Sequence, residues 1–151
     1  MTQIDPADSK HHYAGVLLVT RSGKLIGQQR DDKPGIDNPG KIGTFGGTVE
    51  PSEQYRYAAW RELVKEETNL QLSEDTLTLF LEDTAWRKLT QEWEGRHFYY
   101  ARIDDDELHN LEVYEGQGWA EIHGPDDPHL IELWRPVIQA FIDFQAAHTQ
   151  S

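Results

Sequence analysis

Residues 46–70 read GGTVEPSEQYRYAAWRELVKEETNL, and they narrow the fold more than any other stretch of the chain. A short strand broken by glycines, Gly43-Thr-Phe-Gly-Gly-Thr-Val, leads in. Pro51-Ser52 then predicts a helix start, with Ser52 as N-cap and the acidic Glu53 in the first turn. The helix is expected to run to about Glu67 and to stop near Thr68-Asn69. At about 3.6 residues per turn, Tyr57, Trp60, Leu63 and Val64 gather on one apolar face. That face requires a sheet to pack on. Glu62 and Glu66, four residues apart, stack on another side beside Ala58 and Ala59, with Lys65 at the edge of the acidic strip and Arg61 beyond it.

Like charges at that spacing cost an isolated helix a few tenths of a kcal/mol, roughly. Partly buried, they need a counter-charge, and hard oxygen ligands on one patch suit Mg²⁺ or Mn²⁺. A Glu-rich helix is also what an ordinary solvated face looks like, and periodicity alone does not separate the two. The preceding Gly-Gly shifts the balance toward a ligand site, because glycines let backbone groups approach a ligand closely. Strand, Gly-Gly loop and acidic helix together make a scaffold for a metal–phosphate complex.

The remaining segments supply the sheet. Tyr13-Ala-Gly-Val-Leu-Leu-Val-Thr-Arg reads as a buried strand, Ser22-Gly23 as a tight turn and Lys24-Leu-Ile-Gly-Gln-Gln-Arg as its return. DDKPGIDNPGK, residues 31–41, is dense in Pro, Gly, Asp and Asn and reads as a loop. Strands follow at Leu77–Glu82 and Arg96–Ile103, joined by a mostly polar connector, Asp83 to Gly95, that carries Trp86, Leu89 and Trp93. Asp104–Leu108 is an acidic turn that lacks calcium-loop spacing. Gln117–Ile122 is a last short strand. Residues 129–145 have apolar side chains at helical spacing, with Pro136 kinking the helix or starting a second segment. Strands alternating with two substantial helices predict an α/β (α+β mixed) fold, a mixed sheet between helices. Residues 1–12 are polar and are expected to form a loose tail, His11 and His12 included, followed by a single domain over residues 13–148.

With 151 residues the chain is long enough to bury a core. Its 14 basic and 27 acidic residues give a net charge of -13. Such a surface repels nucleic acid and anionic lipid, yet a bound divalent cation can invert the local field for a small anionic substrate. The absence of cysteine excludes disulfides, thiolate metal sites and thiol nucleophiles. No apolar run approaches membrane-spanning length and the N-terminus lacks a signal pattern, so a soluble cytoplasmic protein is expected, without nucleic-acid or membrane partners.

The 46–70 stretch resembles the Nudix box. Gly47 is followed by five residues and Glu53, and seven more lead to Arg61-Glu62-Leu63. The likeness extends upstream through LIGQQRDDKPGIDNPGKIGTFGG and downstream to YEGQGWAEI, and so covers most of the chain. It implies a Nudix-type α/β/α sandwich and a Mg²⁺-dependent (or Mn²⁺-dependent) pyrophosphohydrolase acting on a nucleoside diphosphate linked to another group. A nucleoside triphosphate or nucleotide-sugar is the default substrate, and a homodimer is expected by analogy with many relatives.

The match departs at one place. The family has Glu-Glu one residue after Leu63, whereas here Val64 is followed by Lys65-Glu66-Glu67. Either the helix is regular, Lys65 replaces the first glutamate of the pair and the exit loop gains a residue, or a π-bulge absorbs the insertion and Glu66 and Glu67 take the pair positions. The regular helix is the preferred account, with Lys65 reducing the metals held or contacting substrate phosphate. Asn69 fits the terminal glycine slot through its tolerance of the left-handed conformation.

Residue by residue, the resemblance implies Glu62 and Glu66 as metal ligands, Glu67 as a second candidate and the Gly46 carbonyl reaching the metal. Glu53 and Arg61 would pair, fixing loop to helix. Glu115 would be a remote ligand or general base, with an exposed loop glutamate as the plain alternative, and Arg30 would touch phosphate unless it is merely a strand-end arginine. Phe45, Trp86, Tyr99 and Trp119 are candidates to stack on a base or to pack the core. The rival reading is a Nudix-fold binding or sensor module without turnover, favoured by Lys65 and the inserted residue; the net charge of -13 argues against a transcription-factor version.

Overall fold

A long central strand, β1 (His11–Thr20), organises the molecule. The computed structural model describes residues 9–88 and 90–149. Val16, Leu17, Leu18 and Val19 have no solvent exposure, because β1 is covered on both faces and flanked on both edges. Gly23, at φ +93°, closes the turn into β2 (Leu25–Gln29), which pairs antiparallel with β1. After the 31–41 loop, β3 (Ile42–Gly43) pairs with β2, and β4 (Phe45–Thr48) crosses to pair with the first half of β1. On the other edge of β1 lies β6 (Glu92–Ile103), parallel to it, and then β5 (Thr78–Arg87), antiparallel to β6. β7 (Gly118–Ile122) adds to β2, completing a seven-stranded mixed sheet.

Alternation along β1 divides the core into two layers. Ala14, Val16 and Leu18 face Ala58, Ala59 and Leu63 of the acidic helix, whereas Leu17 and Val19 face Val137, Ile138 and Phe141 of α3 (Arg135–Thr149). The expected sheet between helices is therefore present. Phe45, Phe98 and Phe141 are fully enclosed, each worth about 2–3 kcal/mol of burial. Phe141 meets Phe80 and Tyr100 edge-on, which locks α3 over β5 and β6. Pro136 lies in the first turn of α3, after a 3₁₀ turn at Glu132–Trp134, where its missing N–H costs nothing. The acidic run at 104–108 forms α2 (Asp105–His109), with Asp104 and Glu107 in a reciprocal capping box.

Several expectations are corrected. His11 and His12 do not belong to a loose tail. They open β1 because β6 runs alongside and pairs with them, and their side chains bond Glu92 and the Tyr55 hydroxyl. Residues 1–8 of the expected tail lie outside the described residues. The polar connector of 83–95 is largely a β-hairpin, stitched by the two-pronged Asp83–Arg96 pair at 2.7 Å and by Trp86 against Trp93; Leu89 lies outside the described residues. The acidic helix starts at Tyr55, not at Pro51-Ser52, and Ser52 does not cap it. Tyr57 is 41% exposed, and the small Ala58 and Ala59 are buried against the sheet in its place.

Candidate functional site

Two segments meet at the site: the Gly-Gly turn of β4 and the helix that follows. α1 (Tyr55–Trp60) continues without interruption into a π-helical segment, Arg61–Glu67. The preferred regular helix is thus overturned. The extra residue is accommodated by widening the turn, so that the N–H of Thr68 reaches the Leu63 carbonyl, five residues back, at 3.0 Å. The Thr68 hydroxyl donates to the same carbonyl at 2.7 Å, closing the end of the segment. A regular helix would put Glu66 and Glu67 at other angles. With the wide turn, Glu67 turns inward, only 1% exposed, while Glu66 stays at the surface. Lys65, expected at the edge of the acidic strip, lies with its ammonium 5.4 Å from the centre of the Trp60 ring.

Backbone shape makes room for the carboxylates. Gly46 has φ +141°, and a Cβ there would lie 2.1 Å from the Ala14 carbonyl oxygen. Its N–H donates to Glu67 Oε1 at 2.8 Å. At Gly47, an added Cβ would meet the Glu62 carboxyl at 2.5 Å, so this carboxylate occupies the space a side chain would fill. The Gly-Gly turn is a cradle for two glutamates.

Arg61 is the fastener. Its guanidinium donates in a fork to Glu53, Nε to Oε2 at 2.6 Å and Nη2 to Oε1 at 2.8 Å, and Nη2 also reaches the Thr48 carbonyl at 3.3 Å. Nη1 lies 3.2 Å from both Glu62 Oε1 and Glu66 Oε2. The expected Glu53–Arg61 pair is formed. Hydrogen bonding from Arg61 holds the Glu53 carboxyl below its usual range, and Glu53 in return holds the Arg61 guanidinium in its charged form.

For Glu62 the Arg61 contact is outweighed. Burial, and then the negative charge of Glu66, push Glu62 up. Glu67 is pushed up to about 9, chiefly by burial; the Gly46 N–H opposes the shift, whereas the charges of Glu62, Glu115 and Glu66 add to it. Glu115 is exposed on the loop before β7, yet its charge is among those that act on Glu67. Glu62, Glu66, Glu67 and Glu115 therefore share one field. Their shared repulsion, the hard-oxygen donor set and the glycine cradle fit a divalent cation of the Mg²⁺ or Mn²⁺ type. Among the described residues, no three His, Asp or Glu side chains already close on one point as a finished shell. Backbone carbonyl, water and phosphate oxygens would complete it, as they commonly do for Mg²⁺.

The loop carrying Glu115 is sewn to the helix exit. Thr68 and Val113 form an antiparallel bridge, and the Tyr114 N–H donates to the Glu67 carbonyl at 2.8 Å. Asn69 does not take the left-handed conformation expected of it. Its side-chain amide instead donates to Asn110 O at 3.0 Å and its oxygen accepts from the Glu112 N–H at 2.9 Å. Arg30 lies beyond this loop, with Nε on the Asp37 carbonyl at 2.7 Å. Of the proposed stacking aromatics, Phe45 and Tyr99 are core residues, Trp86 is paired with Trp93, and Trp119 is 40% exposed on β7. Sequence reasoning passes over Tyr114, although its place beside Glu115 is a signal that points to it.

Comparison with known proteins fits this arrangement. Residues 9–150 match the family described as NUDIX domain. Among solved structures, a mutT/nudix family protein from Listeria innocua is 18% identical with TM-score 0.68, covering 95% of this chain and 99% of its own. The C. elegans Ap4A hydrolase binary complex is 20% identical with TM-score 0.65, covering 91% and 98%. A bifunctional NMN adenylyltransferase/ADP ribose pyrophosphatase from Francisella tularensis, complexed with AMP and a manganese ion, is 16% identical with TM-score 0.62, covering 95% of this chain and 43% of that one. At these identities the likeness is one of fold. Among proteins of curated function, none matches the sequence significantly. No helix among the described residues is long and apolar enough to cross a membrane.

Proposed function

This chain belongs to the Nudix family, a family of hydrolases, and from that membership we propose that it is a divalent-metal-dependent pyrophosphohydrolase cleaving the diphosphate bond of a nucleoside diphosphate joined to another group. The observation that carries the reading is the convergence of Glu62 and Glu67 on the Gly46-Gly47 turn, brought about by the π-helical segment. Neighbours named for Ap4A, ADP-ribose and AMP support nucleotides as the substrate class.

Glu62, Glu66 and Glu67, with the Gly46 carbonyl, would hold Mg²⁺ or Mn²⁺, and Glu115 would serve as a further ligand or as the base. When bound, such a cation neutralises diphosphate oxygens and eases deprotonation of water. The chain's own contribution is positional. Glu53 and Arg61 fix the glycine turn against the helix, and Arg61 Nη1 keeps Glu62 and Glu66 oriented. A carboxylate of this set takes the proton of the attacking water, while Arg30 faces phosphate charge that spreads in the transition state. Lys65 would have to leave the Trp60 ring to serve as a phosphate contact. The binding-only module drew support from the inserted residue. A turn that absorbs the insertion weakens that rival.

The test is a panel of nucleoside triphosphates, nucleotide-sugars, dinucleoside polyphosphates and ADP-ribose, scored for phosphate or pyrophosphate release with and without Mg²⁺ or Mn²⁺. Metal-dependent turnover of one class is expected. Metal-assisted binding without turnover across the panel would transfer the case to the sensor module.

A further inference from the structure

Next to the carboxylates lies a cleft of about 490 Å³, within the ordinary size of small-ligand sites. Gln28, Ile36 and Tyr114 line it together with two cations, Arg30 and Lys33, and two carboxylates, Asp31 and Glu115. The cleft adjoins the glutamates in the backbone itself, because Tyr114, which lines it next to Glu115, donates its N–H to the Glu67 carbonyl at 2.8 Å. The cleft thus begins one residue from the carboxylate cluster.

The cleft's chemistry is specific in two respects. Among the described residues Tyr114, at 60%, is the most exposed of the large apolar side chains, and its ring stacks on no other. It is nonetheless held firmly: its N–H bonds Glu67 and its neighbour Val113 bridges to Thr68. An exposed ring on a fixed backbone loses little freedom when a planar group covers it. The second respect is charge. On a chain of net charge -13, Arg30 and Lys33 offset the two carboxylates, Asp31 and Glu115, that share the lining, so this cleft is balanced where most of the surface is acidic. Asp37's carbonyl orients Arg30, and Lys33 lies 3.9 Å from Asp31, loosely enough to turn to an anion.

The geometry points to Tyr114 as the platform on which the nucleobase of the substrate stacks, with Arg30 and Lys33 facing its phosphate. Recognition is through the face of the base, not its edge. Gln28, the amide best placed to read an edge, already donates to the Glu115 carbonyl at 3.2 Å, and Ile36 offers only apolar contact. Face recognition tolerates different bases, since every base has a π-face. This inference rests on the nucleotide-substrate part of the function proposed above.

Equilibrium binding of AMP and of ribose 5-phosphate to the full chain, by calorimetry without added metal, separates base from phosphate. Wild type should bind AMP about tenfold more tightly than ribose 5-phosphate, and CMP within a few-fold of AMP. Tyr114→Leu should bring the first two within about twofold of each other, and Tyr114→Phe should restore the gap. Lys33→Ala should weaken both ligands alike. Circular dichroism of Tyr114→Leu, a surface substitution, would verify that the fold is kept. Equal wild-type affinities for AMP and ribose 5-phosphate, no AMP binding, or an unchanged AMP affinity in Tyr114→Leu would each overturn the platform. The hydrolase reading fails separately, by absence of turnover in a protein whose AMP affinity still depends on Tyr114.

Discussion

The N–H of Gly46 donates to the Glu67 carboxylate across 2.8 Å, joining the glycine turn to the last residue of the π-helical segment. The same turn leaves no room for a side chain at Gly46, where a Cβ would press to 2.1 Å from the Ala14 carbonyl oxygen at a φ of +141°. Gly46→Ala should therefore lose at least about 2 kcal/mol of stability, from strain and displaced backbone. Urea unfolding checks it, and a loss under half that size would mean that the turn relaxes freely.

Glu67→Gln should separate stability from activity. Without a cation, burial keeps the Glu67 carboxyl protonated up to about pH 9, so a neutral amide of the same shape replaces it with little change. Stability at pH 7 should stay within about 1 kcal/mol of wild type, while hydrolysis should fall about a hundredfold or more if Glu67 holds the metal. Wild-type turnover in this variant would remove Glu67 from the ligand set.

Gly47→Ala acts on the neighbouring carboxylate. The added methyl would meet the end of the flexible Glu62 side chain at 2.5 Å, and Gly47 has no left-handed backbone to strain. The expected outcome is a fold stable to within about 1 kcal/mol with kcat reduced about tenfold or more, since misplacement by an ångström is costly at a reacting centre. Unfolding and kinetics measured on one preparation decide it.

Asn69→Ala should loosen the loop that carries Glu115. It removes two side-chain hydrogen bonds, to Asn110 O and from the Glu112 N–H, at a cost of about 1 kcal/mol. Amide exchange should quicken at residues 112–114 more than in the sheet. Unaltered exchange there would show that the Thr68–Val113 bridge is sufficient alone.

His97 supplies a pH dependence away from the site. Burial lowers its pKa from the ordinary 6.5; the His12 charge adds to this, while those of Glu82 and Asp83 oppose it. The ring stacks on Tyr55 at 3.7 Å. A depressed histidine pKa contributes stability above the unfolded value, and this is lost as pH falls through the folded one. His97→Phe keeps a ring and removes the proton, so its stability relative to wild type should rise between pH 7.5 and pH 5. A pH-independent difference between the two proteins would refute this.

The sequence by itself determined the parts whose cause is local. The β1–β2 hairpin follows from an apolar run and the Ser22-Gly23 turn. The Glu53–Arg61 pair was visible in the spacing of the resembled box, because the turn between them has little freedom. Tertiary structure decided what depends on partners distant in sequence. An α and a π turn differ by one step of hydrogen-bond register, and residues 61–67 alone do not choose between them. The choice is consistent with what anchors the exit: Thr68 doubly bonded to Leu63 O and bridged to Val113, Tyr114 on Glu67 O, and the Gly46 N–H waiting for the Glu67 carboxylate. His11, His12 and the polar 83–95 segment became strand for the same reason, since a polar sequence extends when a neighbouring strand satisfies its backbone. The cleft beside Glu115 likewise exists only because β2, the 31–41 loop and residues 114–116 are folded together.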